Sequence, residues 1–273
     1  MLLRQGDRGY QVTALQHELN RHGADLEPDG DFGPLTDAAV RTFQRRHGLV
    51  VDGIAGPKTR QALHTAAGKK DPRQLGQADL VAAAERLGVD LAAIMAVNEV
   101  ESRGQGFHVG GPRSGEPVIL FERHIMRRRL IHHERNPVPL QQQHPDLVNN
   151  RPGGYIGGHR EHDRLWRAAE LHRPSALESA SWGAYQIMGF HWRALEYANV
   201  GAFEAAMSES EAAQLDAFVR FIEIDRGLHA ALRRQDWADF ARRYNGPNYA
   251  INDYDTKLAA AYRRHSRALE VAA

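Results

Sequence analysis

Leu91-Ala92-Ala93-Ile94-Met95-Ala96-Val97-Asn98-Glu99-Val100-Glu101-Ser102-Arg103 is the stretch on which the reading of this chain turns. Placed on a helix at about 100° per residue, Leu91, Ile94, Met95, Val97 and Val100 define one apolar face. Glu101 falls roughly 25° from the centre of that face and Glu99 roughly 135° away. Glu99 is therefore expected in solvent. Glu101 is expected against the core or the wall of a cleft. A carboxyl group removed from water resists ionisation. A protonated glutamic acid is what glycoside cleavage needs, because the leaving oxygen must receive a proton as its bond breaks. Taken alone, a buried glutamate satisfied by an arginine is the plainer explanation.

Upstream, residues 1–66 contain an internal echo. Asp29-Gly30-Asp31-Phe32-Gly33-Pro34-Leu35-Thr36 returns 23 residues on as Asp52-Gly53-Ile54-Ala55-Gly56-Pro57-Lys58-Thr59. Asp-Gly makes a tight turn and Gly-Pro a second bend. Thr36 and Thr59 have the chemistry of helix N-caps. Val12, Leu15 and Leu19 share a helical face, as do Val40, Phe43 and Gln44. The spacing predicts a compact three-helix module. Residues 67–78, with Gly68, Lys69, Lys70 and Pro72, read as a linker.

Downstream, helical patterns dominate residues 79–273. Helices are expected over 80–87, 91–103, 161–172, 189–197, 209–232, 236–244 and 254–273. Val118-Ile119-Leu120-Phe121 reads as a buried strand ending at Glu122. Residues 135–158, with four prolines and four glycines, read as a long loop.

The bulk numbers remove several classes of function. A chain of 273 residues with 42% hydrophobic and 25% charged residues has the composition of a globular protein. A net charge of +1 gives no pointer to nucleic acid. The absence of cysteine excludes thiol catalysis, disulfides and zinc-thiolate sites. Fifteen histidines invite a metal reading, and His159 with His162 or His132-His133-Glu134 could contribute, but no H-E-x-x-H is present. No metal is expected. The N-terminus lacks the apolar stretch of a secretory signal peptide. The C-terminal helix carries Leu258, Tyr262, His265 and Leu269 as a thin stripe among basic residues. Weak membrane contact is open to it, and packing on its own domain is the favoured use.

Two resemblances carry the functional expectation. Gly6 to Gln16, the two D-G-x-x-G-P-x-T turns and Ala39 to Gln44 resemble the short peptidoglycan-binding domain at the ends of many wall hydrolases. Glu101-Ser102, then Gly183-Ala184-Tyr185-Gln186-Ile187, then Tyr244-Asn245-Gly246 resemble, in order, the three motifs of the goose-type lysozyme and lytic transglycosylase superfamily. Ala96 to Ser102, Pro117 to His124 and Ser181 to Gly189 are similar to the muramidase domain of modular phage endolysins. These resemblances imply a mainly α chain: a three-helix binding domain, then a lysozyme-like, mostly helical α+β catalytic domain. They imply cleavage of the β-1,4 bond between N-acetylmuramic acid and N-acetylglucosamine, with Glu101 as general acid. Ser102, Tyr185, Gln186, Tyr244 and Asn245 would bind substrate, and Gly183 would let the chain approach it. The expected partner is the glycan strand of peptidoglycan, with no cofactor and no nucleic acid. The chain is expected to be a monomer made in the cytoplasm of a phage-infected host and acting in the periplasm.

The second carboxylate stays open. Glu122 is the first candidate and Glu178 a weaker one, and a mechanism assisted by the sugar's own groups would need neither. Lytic transglycosylase chemistry and a non-catalytic wall-binding protein remain as alternative readings.

Overall fold

The computed structural model describes residues 2–65, 71–102, 105–246 and 249–272. The chain divides into two compact units, residues 1–99 with 249–273, and residues 100–248.

The first unit opens with three helices, α1 (Tyr10–Arg21), α2 (Pro34–Arg46) and α3 (Pro57–His64). Val12, Leu15, Leu19, Val40 and Phe43 meet Phe32, Leu49, Ala55 and Leu63 in one buried cluster. The internal echo has a physical meaning. The Gln16 side-chain amide reaches Asp29 Oδ1 (2.8 Å), the Asp31 carbonyl (3.1 Å) and Thr36 Oγ1 (3.1 Å), and its oxygen accepts from the Gly30 N–H (3.0 Å). Gln44 repeats the pattern with Asp52 Oδ1 (2.7 Å), the Ile54 carbonyl (3.1 Å), Thr59 Oγ1 (3.2 Å) and the Gly53 N–H (2.9 Å). Each buried glutamine thus ties a helix to the turn that follows it. Gly30 and Gly53 take φ of +77° and +74°, and this presents their N–H groups to the glutamines.

Thr36 and Thr59 are not the helix caps. The helices begin earlier, at Pro34 and Pro57, with Gly33 and Gly56 in the cap positions. Proline suits the first helical position because its missing N–H would have no partner there. The threonines sit in the first turn, buried, and bond the glutamines and the Asp31 and Ile54 carbonyls.

The unit is completed by α4 (Gln77–Leu87), by most of α5 (Leu91–Glu101) and, far along the chain, by α13 (Tyr254–Ala272). Helix α4 starts three residues earlier than its apolar pattern suggests, so the expected linker 67–78 already contains helix at Gln77 and Ala78; its residues 67–70 lie outside the described residues. Gly88, at φ +61°, ends α4 as expected. Arg103, the expected end of α5, also lies outside the described residues. Glu99 does not stand free in solvent. Its carboxylate accepts from His265 (2.9 Å) and pairs with Arg264 of α13, leaving 18% of the side chain exposed. Leu258, Ala261 and His265 bury the inner face of α13.

The second unit is built on β1 (Ile119–Phe121), α6 (Arg123–His132), α7 (Pro137–Gln143), α8 (Glu161–Glu178), β2 (Ala180–Trp182), β3 (Ile187–Met188), α9 (Val200–Glu209), α10 (Glu211–Ile224), α11 (Arg226–Arg233) and α12 (Trp237–Asn245). The three strands form an antiparallel sheet in the order β1-β2-β3, with Ile119 opposite Trp182 and Trp182 opposite Ile187. Helix α8 packs on α6 and β1. Phe121, Met126, Leu130, Leu165, Phe203, Phe218 and Phe240 are buried in this unit.

Several boundaries differ from expectation. The stretch 135–158 is not all loop, because Asn136 caps α7 by accepting from the Val138 N–H. Helix α8 bends at His172 (φ −165°), where the His172 ring accepts from the Ser175 N–H (3.3 Å) and Pro174 starts a second segment ending at Glu178. Residues 189–197 form a single tight turn of helix followed by turns. The expected helix 209–232 is two, α10 and α11, parted at Asp225, whose side chain accepts from the Gly227 and Leu228 N–H groups. A fifth departure is that Ala180–Trp182 and Ile187–Met188 are strands.

Gln44→Ala is expected to destabilise the N-terminal module by about 2–3 kcal/mol, because the buried Gly53 N–H and Thr59 hydroxyl lose their partner. Urea unfolding of the full chain would check this: an unchanged first transition would show that the glutamine hub is dispensable.

Candidate functional site

Glu101 is the last residue of α5 and is only 8% exposed. The Asn245 side-chain amide, at the end of α12, donates to Glu101 Oε1 at 3.0 Å. Two of the three sequence motifs therefore meet at the carboxyl group, across 144 residues of chain. It is Asn245 that touches the acid, whereas Tyr244 turns the other way. The Tyr244 hydroxyl donates to the Tyr185 carbonyl (2.7 Å), and its ring packs edge-on against Phe218. Tyr185 is 3% exposed and stacks on the same Phe218 at 4.6 Å. These two tyrosines join the third motif to the second.

The β2–β3 turn is held from within. Ser181 Oγ donates to Gln186 Oε1 (2.8 Å), and Gln186 Nε2 donates to the Gly183 carbonyl (2.8 Å). Gln186 has φ +52°, unusual for a residue with a side chain, and these bonds hold it there. Gly183 makes room for protein. At φ +70°, an added Cβ would lie 2.5 Å from the Gln214 side chain.

Gln214, on α10, is the residue the sequence reading missed. It is 1% exposed. Its oxygen accepts from the Ala184 N–H (2.8 Å), and its amide donates to the Met207 carbonyl (2.8 Å) and the Gly106 carbonyl (3.3 Å). One helical turn earlier, Glu211 accepts from the Gly106 N–H at 2.9 Å. The pair anchors the segment that follows Glu101 and Ser102 to the 183–186 turn. A signal was present: Glu211 and Gln214 share the α10 face of Phe218 and Ile222, which is a polar pair on an apolar stripe. Ser102 is buried beside Glu101.

The other carboxylates lie elsewhere. Glu178 is 1% exposed at the end of α8 and accepts from Arg129 (2.7 Å), His133 (2.8 Å) and Trp192 Nε1 (2.9 Å). Burial opposes its charge, but the hydrogen bonds from Arg129, Trp192 and His133 prevail and hold its carboxyl below the usual range. It is a structural ion. Glu161 behaves alike: burial opposes ionisation, and the Gly157 and Ile156 N–H groups together with Arg164 overcome it. Glu122 follows β1, and both of its oxygens accept from the Tyr155 hydroxyl at 2.9 Å, while His124 Nδ1 lies 3.1 Å away without a hydrogen bond to it. Glu122 stands at the far end of β1 from the turn that Gly183 opens. Gly183 N–H bonds the Val118 carbonyl, and Glu122 is four residues further on, roughly 13 Å along an extended strand. Among the described residues, no group of three or more His, Asp or Glu side chains is arranged to hold a metal ion.

Comparison with known proteins places both parts of the chain in families. The N-acetylmuramidase family profile matches residues 90–266, and that of the peptidoglycan-binding domain matches residues 8–63. The crystal structure of the Burkholderia AP3 phage endolysin superposes with a TM-score of 0.91 at 53% identity, covering 98% of this chain and 100% of that one. Shorter matches join the chain to the zinc D-Ala-D-Ala carboxypeptidase of Streptomyces albus G, 48% identical over 60 residues. They also join it to the N-acetylmuramoyl-L-alanine amidase CwlL of Bacillus licheniformis, 40% identical over 72 residues. These two cover 21% and 25% of this chain, and only 24% and 20% of the carboxypeptidase and the amidase. The class so defined is a modular one, a peptidoglycan-binding domain ahead of a helical muramidase domain. The chain belongs to the N-acetylmuramidase family.

Two outcomes are expected from the site's framework. Gly183→Ala combines a strained φ with a collision at Gln214, and should cost about 2–4 kcal/mol of stability in calorimetry; a melting temperature equal to the parent's would contradict the packing described. Because the folded-state pKa of Glu178 is lowered, its stabilisation is present above the unfolded carboxylate pKa and is lost as the pH falls through the folded value. Wild type should therefore lose more stability than Glu178→Gln between pH 7 and pH 4 in urea titrations. Parallel losses would show that the ion pairs contribute nothing.

Proposed function

We propose that the chain is an endolysin that degrades bacterial peptidoglycan by cleaving the β-1,4 bond between N-acetylmuramic acid and N-acetylglucosamine. The observation that carries the reading is the buried Glu101 carboxyl at the end of α5, with Asn245 donating to one of its oxygens. Removal from water favours the proton-bearing form of a carboxyl group. The Asn245 amide marks Oε1 as the acceptor oxygen, so that Oε2 carries the proton. Oε2 gives it to the bridging oxygen as the bond from C1 of the muramic acid breaks. Water then adds its hydroxyl to that C1 and returns a proton to Glu101.

Within this reading the residues sort by what they touch. Asn245 orients the acid. Tyr244 and Tyr185 fix the distance between α12 and the β2–β3 turn, and Gln186 keeps that turn in the shape that meets the glycan. Ser102 lies alongside the acid. Glu122, at the far end of β1, is assigned to holding the glycan and not to attack on C1. Residues 1–66 are the wall-binding domain, 67–78 the connection and 79–273 the catalytic domain. The binding domain raises the effective concentration of the catalytic one on a polymer. The chain is taken to act as a monomer. No helix among the described residues is long and apolar enough to cross a membrane. The site of action is the peptidoglycan layer, which the chain reaches after synthesis in the host cytoplasm.

Glu101→Gln keeps the Asn245 contact and removes the proton, so wall clearing should slow at least about 100-fold while wall binding persists. Glu122→Gln should keep a turnover number within about tenfold of the parent; a loss as large as that of Glu101→Gln would place Glu122 in the chemistry. Mass spectrometry of the digested wall should show reducing N-acetylmuramic acid ends. Ends of 1,6-anhydro form would instead mean attack by the sugar's own 6-hydroxyl, as in lytic transglycosylases. Wall binding with no turbidity loss would mean a binding protein only.

A further inference from the structure

The loop Pro152-Gly153-Gly154-Tyr155-Ile156-Gly157-Gly158 displays two apolar side chains to solvent, Tyr155 at 46% and Ile156 at 43% exposure. Ordinarily such a glycine-rich loop would be loose. Here it is clamped at both ends. Arg123, which follows Glu122 directly, donates to the carbonyls of Arg151 (3.0 Å) and Pro152 (2.9 Å). Glu161, 1% exposed, accepts from the Ile156 (2.7 Å) and Gly157 (2.9 Å) N–H groups with one oxygen, while its other oxygen accepts from Arg164 (2.8 Å). Between the clamps, the Tyr155 hydroxyl donates to both oxygens of Glu122. With its hydroxyl engaged, Tyr155 is held in place while remaining 46% exposed.

From this we infer a saccharide subsite in which the Tyr155 ring stacks on one pyranose of the glycan strand, Glu122 accepts a sugar hydroxyl, and Ile156 meets an acetamido methyl. An aromatic side chain held in one rotamer offers a large amphipathic contact at small entropic cost. A carboxylate has about four acceptor positions, and the single hydroxyl of Tyr155 leaves capacity for another. The two groups are also complementary: sugar C–H faces are apolar, and their rims are hydroxyl donors. The clamps matter because a pre-ordered platform loses little freedom on binding. The subsite rests on the muramidase reading for its ligand class, and it places contacts on the glycan away from the bond at Glu101.

The test is calorimetric titration of the full chain carrying Glu101→Gln, which cannot turn over, with the tetramer of N-acetylglucosamine. Adding Tyr155→Ala should weaken binding about 10-fold, and Tyr155→Phe or Tyr155→Trp should retain affinity to within about threefold. Thermal unfolding of each variant controls for folding, and the Phe and Trp variants report on the ring even if the Ala variant melts early. Unchanged affinity in Tyr155→Ala overturns the subsite, as does equal loss in the Phe and Ala variants, or no binding of the tetramer by the parent. Because binding is read without turnover, the two readings fail separately. Ring-dependent binding in a chain that cuts no wall would leave the subsite standing and remove the muramidase reading. Wall cutting with ring-independent binding would do the reverse.

Discussion

The contact between Asn245 and Glu101 is the constraint around which the second unit is organised. It closes only if the end of α5 and the end of α12 arrive within 3.0 Å of one another from positions 144 residues apart. Neither helix can ensure this alone. The Tyr244 hydroxyl on the Tyr185 carbonyl fixes α12 against the β2–β3 turn. Gln214 fixes that turn to Gly106, five residues beyond Glu101. The chain of contacts is therefore polar and directional, and it runs beside the rings of Phe218, Phe221 and Phe240 that pack against Tyr244. Buried polar networks of this kind specify one arrangement because each member left unpaired costs more than a paired one gains.

The carboxylates show how environment assigns roles to one residue type. Glu178 and Glu161 are buried with guanidinium groups against them and stay ionised, each holding secondary structure together. Glu99, two residues before Glu101 on the same helix, accepts from His265 and pairs with Arg264. Burial pushes its carboxyl up, and those partners more than reverse the push. Glu101 is presented with an amide at Oε1, and an amide N–H is a donor to either protonation state of a carboxyl group. That contact orients the oxygen without itself adding a charge beside it.

What could be read without the structure follows the range of the forces involved. The face of Glu101 was legible because periodicity is local, and so was the repeated turn. Thr36 and Thr59 were misread as caps because two local signals competed, and proline at the first helical position outweighed the hydroxyl two residues on. The helix expected over 209–232 broke at Asp225, whose capping chemistry is plain once noticed. Glu99 was misplaced for a different reason. Its partners lie 165 and 166 residues away, and no pattern within α5 announces them. The same limit hid Gln214 behind Gly183: a glycine in a motif does not say what it makes room for.

Glycine and glutamine recur here in paired use, and the pairing explains how small polar devices replace a larger core. In the N-terminal module, glutamine amides grip the N–H groups of Gly30 and Gly53. In the second unit, Gln214 fills the space that Gly183 leaves and bonds the next residue's N–H. A primary amide suits this because it donates and accepts from one planar group and carries no charge to desolvate. An arginine or glutamate in the same place would need a counter-ion. A short module cannot bury enough apolar surface to set turn geometry by packing alone. The turns that shape both the N-terminal module and the Gly183 loop are accordingly fixed by uncharged amide side chains, which in the module bond the Asp29 and Asp52 side chains as well as the backbone.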